Sequence, residues 1–205
     1  WNPLLEEWVV TATHRQERTF LPPAGYCPLC PTRAGGFPTE VPAETYDVVV
    51  FENRFPSLRP DPPPPAVAGT ALSPVLPADG VCEVVLYSPL HDASLGTLPL
   101  ARLRNVAWVW RDRYRELGAR PGIAYVLVFE NRGEAVGVTL HHPHGQIYAF
   151  PYLPPVPARE LAAARAHRAR TGRCFLCDAV AAELADGRRV VLEGERFVAS
   201  VPFAA

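Results

Sequence analysis

The sequence predicts an α+β fold, with one complete unit followed by the opening of a second copy. Three observations carry this. Short apolar, β-branched runs at 46–51, 81–87, 123–129 and 146–150 are interleaved with one strongly periodic helix at 99–117. Two C-x-x-C pairs, Cys27/Cys30 and Cys174/Cys177, are offset by 147 residues, and a strand ending in Phe and Pro follows each, Phe51 to Pro56 and Phe197 to Phe203. The first copy runs on for about 120 residues after its cysteines, the second for about 30. The expected division is therefore 1–156 for the first unit and 157–205 for a linking helix and an incomplete second unit. The 205 residues read as the N-terminal portion of a longer protein.

Taken in order, Asn2-Pro3-Leu4 reads as a turn, Trp8 to Thr13 as a short strand and His14 to Arg18 as a charged loop. Residues 21–42 form a loop that carries the first cysteine pair. The stretch from Arg59 to Ala66, with Pro62 to Pro65 consecutive, has no donors for a ladder and is an extended spacer. The helix from Pro99 to Leu117 has Thr97 as its cap, Pro99 in the first turn and Gly118 as the C′ glycine. Leu100, Leu103, Val106, Trp110, Tyr114 and Leu117 form its apolar stripe. Residues 157–170 are helical, and 188–192 with 197–201 make a β-hairpin.

Composition narrows the function. With 48% hydrophobic residues the chain can bury a substantial core, and a net charge of −1 argues against a non-specific nucleic-acid binder. No apolar run is long enough for a membrane span and no signal peptide is visible, which predicts a cytoplasmic protein. All 20 basic residues are Arg. Phosphate recognition within these residues must rest on Arg, His, amides, hydroxyls or backbone N–H, and lysine catalysis is excluded.

The motif that organises the chain is His142-Pro143-His144-Gly145-Gln146. In extended backbone, residues i and i+2 share a face, so His142, His144 and Gln146 point the same way. Pro143 stiffens the segment, and Gly145 leaves bare backbone that a ligand can approach. Two imidazoles and an amide beside bare backbone suit a phosphate, which an imidazole can hydrogen-bond or attack. An isolated H-x-H would be a solvated cluster; the cysteines argue otherwise. Cys27-x-x-Cys30 lies in a Pro/Gly-rich loop, which favours metal ligation over redox chemistry. Two more ligands are needed, and among the competing histidines His91 and His142 are favoured; a tetrahedral Cys2His2 zinc site built from them would hold His142 and so position His144. Cys82 is read as a small buried hydrophobe.

Asn2-Pro3-Leu4, Trp8-Val9-Val10, His14-Arg15-x-x-Arg18, Cys27-x-x-Cys30, Phe51-Glu52-Asn53, Ser88-Pro89-x-His91, Phe129-Glu130-Asn131-Arg132-Gly133 and His142-Pro143-His144-Gly145-Gln146-Ile147 together resemble the galactose-1-phosphate uridylyltransferase family of the histidine-triad superfamily. The resemblance implies a histidine-triad-like antiparallel sheet with packed helices. It also implies a cytoplasmic homodimer that exchanges UMP between UDP-glucose and galactose 1-phosphate, with no nucleic-acid or membrane partner. It makes His144 the nucleophile and Gln146 the group that hydrogen-bonds the transferring phosphoryl. Arg15 and Arg18 would lie at the substrate phosphates, Asn131 and Thr139 at the phosphoryl site, and Phe51, Asn53 and Phe55 around the uridine. Cys27, Cys30, His91 and His142 match the family's zinc ligands.

Three departures stand out. Arg54 replaces an acidic residue that reaches the ribose in many members, Leu140-His141 replace Asn-Pro, and Glu160 coexists with the Cys174/Cys177 pair, two features that belong to alternative second-metal sites. Arg54 leaves room for a different base. The alternative is a related nucleotide phosphorylase or adenylyltransferase acting on ADP-glucose or a dinucleoside polyphosphate. A zinc-stabilised binding module without catalysis is the reading from another class.

Overall fold

Four short strands build the sheet of the first unit: β1 (Val49–Glu52), β2 (Val81–Leu86), β3 (Tyr125–Phe129) and β4 (His144–Phe150). The computed structural model describes residues 1–11, 25–136 and 138–203, which divide into units of 1–154 and 155–205. All pairings in the first sheet are antiparallel, in the order β1-β2-β4-β3. One helix, α1 (Leu100–Gly118), lies between β2 and β3 in sequence and packs on one face of the sheet. The second unit consists of α2 (Pro155–Thr171), α3 (Phe175–Asp186) and the hairpin β5 (Val190–Glu193) and β6 (Val198–Ser200). The architecture is α+β, as the interleaved patterns imply. No helix of the described residues is long and apolar enough to cross a membrane.

Alternation along β2 and β4 separates two cores. On the helix side, Val81, Val85, Ile147 and Ala149 pack with Val126, Val106 and Leu117. On the other side, Val84 and Leu86 pack with Leu29 and Val41, and Cys82 with Leu58 and Phe150. Every residue of β2 is buried, including Glu83, which the Arg113 guanidinium of α1 meets through Nε at 2.9 Å. A carboxylate removed from water needs such a partner, and this one ties the helix to the sheet.

Several expectations are corrected. Residues 8–11 are not in a strand, and 12 and 13 lie outside the described residues, as does the 14–18 loop. Thr97 does not cap α1: its hydroxyl is engaged with Ser94, and Pro99 holds the cap position, its carbonyl accepting from the Arg102 and Leu103 N–H groups. Gly118 is the last helical residue rather than a left-handed C′ glycine, and Ala119 closes the helix in a right-handed conformation. Leu100 and Tyr114 are exposed, so the buried stripe narrows to Leu103, Val106, Trp110 and Leu117. The segment 175–186, not anticipated, is helical and stops at Gly187, whose φ of 70° is the usual left-handed terminator.

Gly145 has a different reason from the expected ligand approach. A Cβ there would stand 2.0 Å from the Tyr87 hydroxyl and 3.0 Å from the Phe129 carbonyl, on the helix side of the sheet. The glycine makes room for a fully buried tyrosine beneath β4. Gly145→Ala is expected to cost about 1–3 kcal/mol of stability through overpacking, read from the denaturation midpoint at constant m. Adding Tyr87→Phe, which removes the nearest atom, is expected to return part of that loss; an equal loss in both backgrounds contradicts the packing account.

Candidate functional site: a Cys2His2 cluster beside a free imidazole

The motif sits where β4 begins. His142 and Pro143 precede the strand and His144 is its first residue, with the Pro143 carbonyl accepting the Tyr87 N–H at 3.3 Å. Period-two alternation then sends His144, Gln146 and Tyr148 to one face and Gly145, Ile147 and Ala149 to the helix.

His142 is 1% exposed. Its Nε2 lies 2.8 Å from the Ser88 carbonyl and 2.9 Å from the Tyr46 hydroxyl, which itself donates to the same carbonyl at 2.6 Å. A carbonyl only accepts, so Nε2 carries the proton and Nδ1 keeps the lone pair. That Nδ1 is 3.5 Å from the Cys30 Sγ, and the His91 Nδ1 is also 3.5 Å from it. With Cys27, the four ligand atoms lie within 4.8 Å of one another. An ion with bonds of about 2.0–2.3 Å in a tetrahedron needs ligand atoms roughly 3.3–3.8 Å apart. The donor set fits a soft tetrahedral cation with little adjustment.

The loop is built to present these thiols. Leu29, between the two cysteines, is buried with Val41 against Val84 and Leu86. The Thr39 hydroxyl holds the Cys30 carbonyl at 2.6 Å, and Leu90 N–H bonds the Ser88 hydroxyl at 3.1 Å just before His91. Burial, and then the neighbouring Cys27, push the Cys30 thiol up to about 11. Burial dominates at His142 as well and lowers it to about 4, with His91 and His144 adding to the effect against the Ser88 carbonyl. Before a cation enters, the imidazole is neutral and the Cys30 thiol keeps its proton.

His144 is half-buried and outside this cluster. Its Nδ1–H donates to the His142 carbonyl at 2.7 Å, which leaves the Nε2 lone pair free. The ring lines a hollow of about 370 Å³ together with His142, Asn131, Arg132, Glu130 and His141. Gln146 is oriented by a relay. Phe55 N–H donates to the Asn53 Oδ1 at 2.9 Å, so the Asn53 amide nitrogen donates to the Gln146 Oε1 at 3.1 Å. Tyr148 donates to the same oxygen at 3.3 Å. The Gln146 –NH2 group is therefore the end left for a ligand.

The other expected residues distribute unevenly. Phe51 lies in the cross-strand row that continues through Val84 to Gln146, and Phe55 is exposed. Thr139 is exposed on the segment leading into the motif. Arg54 pairs with Glu40 at 3.3 Å and lies over the Phe55 ring. Arg15 and Arg18 lie outside the described residues. In the second unit, Cys174 caps α3 and Cys177 is in its first turn, both exposed. Among the described residues, no third ligating side chain joins them, and Glu160 is exposed on α2. Tyr46, the Ser88 carbonyl's bond to His142 and the Asn53–Gln146 contact were not expected.

A family model described as "Galactose-1-phosphate uridyl transferase, N-terminal domain" matches residues 1–154. A galactose-1-phosphate uridylyltransferase of Thermotoga maritima is 41% identical over 207 residues, covering 100% of this chain and 62% of the relative. One of Streptomyces lividans is 44% identical over 204 residues, covering 100% and 52%. The chain thus spans between half and two thirds of the length of these relatives. A solved uridylyltransferase mutant superposes with a TM-score of 0.83 at 31% identity, covering 100% of this chain and 60% of the other. An ADP-glucose phosphorylase from Arabidopsis thaliana with bound ADP-glucose gives 0.69 at 25%, covering 100% and 63%.

The raised Cys30 thiol has a measurable consequence. Ligation needs the thiolate, so loading a divalent ion is expected to release protons and to tighten by about tenfold or more per pH unit between 6 and 8. His142, already neutral above about 4, adds nothing to that slope. Competition against a chelator across this range, with proton release in weakly buffered solution, checks it; a flat profile contradicts thiolate ligation.

Proposed function

Because the chain belongs to the galactose-1-phosphate uridylyltransferase family, we propose that it exchanges UMP between UDP-glucose and galactose 1-phosphate, giving UDP-galactose and glucose 1-phosphate. The observation that carries this is the 2.7 Å bond from the His144 Nδ1–H to the His142 carbonyl. With Nδ1–H so engaged, the Nε2 lone pair is the one a nucleophile would use, on a ring that lines the hollow of about 370 Å³.

In this reading the His144 Nε2 attacks the α-phosphorus of UDP-glucose. The N–P bond forms, the bridging P–O bond breaks, and glucose 1-phosphate leaves with the electron pair. Nδ1 keeps its proton, and the His142 carbonyl stabilises the positive charge on the ring. A phosphate oxygen of galactose 1-phosphate then attacks the uridylyl-histidine and displaces the neutral imidazole. The departing phosphate is weakly basic, so no general acid is required, which suits a glutamine at position 146. The Gln146 –NH2 donates to the phosphoryl oxygens, with Asn131 and Thr139 beside it, and Arg15 and Arg18 neutralise the phosphates. Phe51, Asn53 and Phe55 hold the uridine. Zinc at Cys27, Cys30, His91 and His142 would act as a structural clamp, and a second zinc at Cys174 and Cys177 belongs to the same reading. The family resemblance supports a cytoplasmic homodimer.

A second reading, adenylyl transfer from ADP-glucose, draws on the likeness to the Arabidopsis phosphorylase and on Arg54, tied to Glu40 beside Phe55. The lower identity and TM-score of that likeness favour the uridylyl reading.

Incubation of the zinc-loaded protein with UDP-glucose alone is expected to leave a uridylyl group on His144, found by peptide mass spectrometry and discharged by galactose 1-phosphate. His144→Ala is expected to lose transfer by about 10³-fold or more. An adenylyl adduct from ADP-glucose in its place selects the second reading, and no adduct from either sinks both.

A further inference from the structure

Gln146 carries a donor and an acceptor at the tip of one side chain, and on the reading above its donor end meets the phosphoryl oxygens. Which end faces the ligand is decided by its neighbours in the sheet. Cross-strand register places Phe51, Val84 and Gln146 in one row. The next row holds Cys82 opposite Tyr148, with Asn53 beside Cys82, its N–H donating to the Cys82 carbonyl at 2.8 Å. Two donors of this second row reach diagonally to a single atom. The Asn53 Nδ2 lies 3.1 Å from the Gln146 Oε1, and the Tyr148 hydroxyl 3.3 Å from the same oxygen. A carboxamide oxygen has two lone pairs, and both are engaged.

Asn53 is not free to turn over. It is 9% exposed, and its Oδ1 accepts the Phe55 N–H at 2.9 Å, an Asx-type bond to the residue two positions on. A backbone N–H only donates, so the amide nitrogen of Asn53 must be the end that faces Gln146. A place beside the uridine leaves this bond unexplained.

We propose that Asn53, assisted by Tyr148, is a positioning residue for the transfer step: it holds the Gln146 amide with its –NH2 toward the phosphoryl group. In this role Asn53 acts through Gln146, beyond any contact it makes with the uridine. The inference deepens the uridylyl-transfer reading and rests on it.

Asn53→Asp tests it in the zinc-loaded protein. The carboxylate keeps the size of the side chain and still accepts the Phe55 N–H, but the oxygen that replaces Nδ2 cannot donate. The Gln146 –NH2 then turns toward position 53, and its oxygen faces the phosphoryl group. The kcat of transfer is expected to fall about 10²-fold, as when one donor to a developing anion is lost. In a Gln146→Ala background the same change is expected to cost less than about threefold. Unchanged kcat in Asn53→Asp overturns the proposal, and so does an equal loss in both backgrounds, which assigns the effect to charge or packing. Asn53→Ser covers the case in which the acid does not fold, since its hydroxyl still accepts the Phe55 N–H but is too short to reach Gln146. It is expected to lose about tenfold in kcat, and again little once Gln146 is Ala; a loss that persists there overturns the proposal. If the parent forms no adduct on His144, the functional reading has failed by itself. The orientation is then judged by the two Gln146 side-chain amide proton resonances. In Asn53→Asp one of them is expected to move downfield and to exchange with water about tenfold more slowly, and unmoved resonances overturn the orientation.

Discussion

The site depends on His142 being held at both ends. Its ring is fixed in the Cys2His2 cluster by the Ser88 carbonyl and the Tyr46 hydroxyl, and its own carbonyl takes the Nδ1–H of His144. The first set of bonds fixes which nitrogen faces the cysteines, and the second fixes which nitrogen of His144 is free. A wandering His142 would release His144 to either tautomer and to many orientations, and the lone pair would no longer be presented to one place. The link from cluster to free imidazole is thus a single residue long. Structural zinc contributes roughly 10–16 kcal/mol in small domains, so an ion there would set the rigidity of its neighbour as well.

Orientation by hydrogen bonds rather than by charge recurs at Gln146. An amide has a donor end and an acceptor end, and only a partner of known polarity decides between them. Here the decision begins at a backbone N–H, that of Phe55, and passes through Asn53. Neither step involves an ionisable group, so the orientation does not change with pH. On the uridylyl-transfer reading proposed above, a glutamine rather than an acid at position 146 suits exchange between two phosphates of similar basicity.

Much of this was legible in the sequence because it rests on spacing. The interval of two in H-x-H fixes a shared face once the segment is extended, and C-x-x-C in a Pro/Gly-rich loop points to a metal before any partner is known. His91 was readable from its Ser-Pro turn at a strand end. What escaped was set by tertiary contacts. Ser88 and Tyr46 orient His142 from 54 and 96 residues away, contacts that no local spacing announces. Gly145 was misread because the sequence does not say which side of a strand is crowded. Tyr87 decides that, by occupying the space a side chain would need. The α1 boundaries shifted since Thr97 finds its hydrogen bonds within its own turn with Ser94. Helix α3 did leave a trace, an Ala-rich run ended by Gly187, but no element was assigned to it.

Strand β4 carries both problems at once. Its even positions form the chemical face and its odd positions a core packed with α1, Tyr87 and Val126. A change on the buried face cannot be absorbed by rotating the strand, for a one-residue slip would carry His144 and Gln146 to the helix side. The register with β2, Leu86 opposite His144 and Val84 opposite Gln146, is locked by side chains that are almost wholly buried. The placement of the free imidazole is thereby coupled to the packing of a helix it does not touch. That coupling explains why a fully buried tyrosine lies under the one glycine that separates His144 from Gln146.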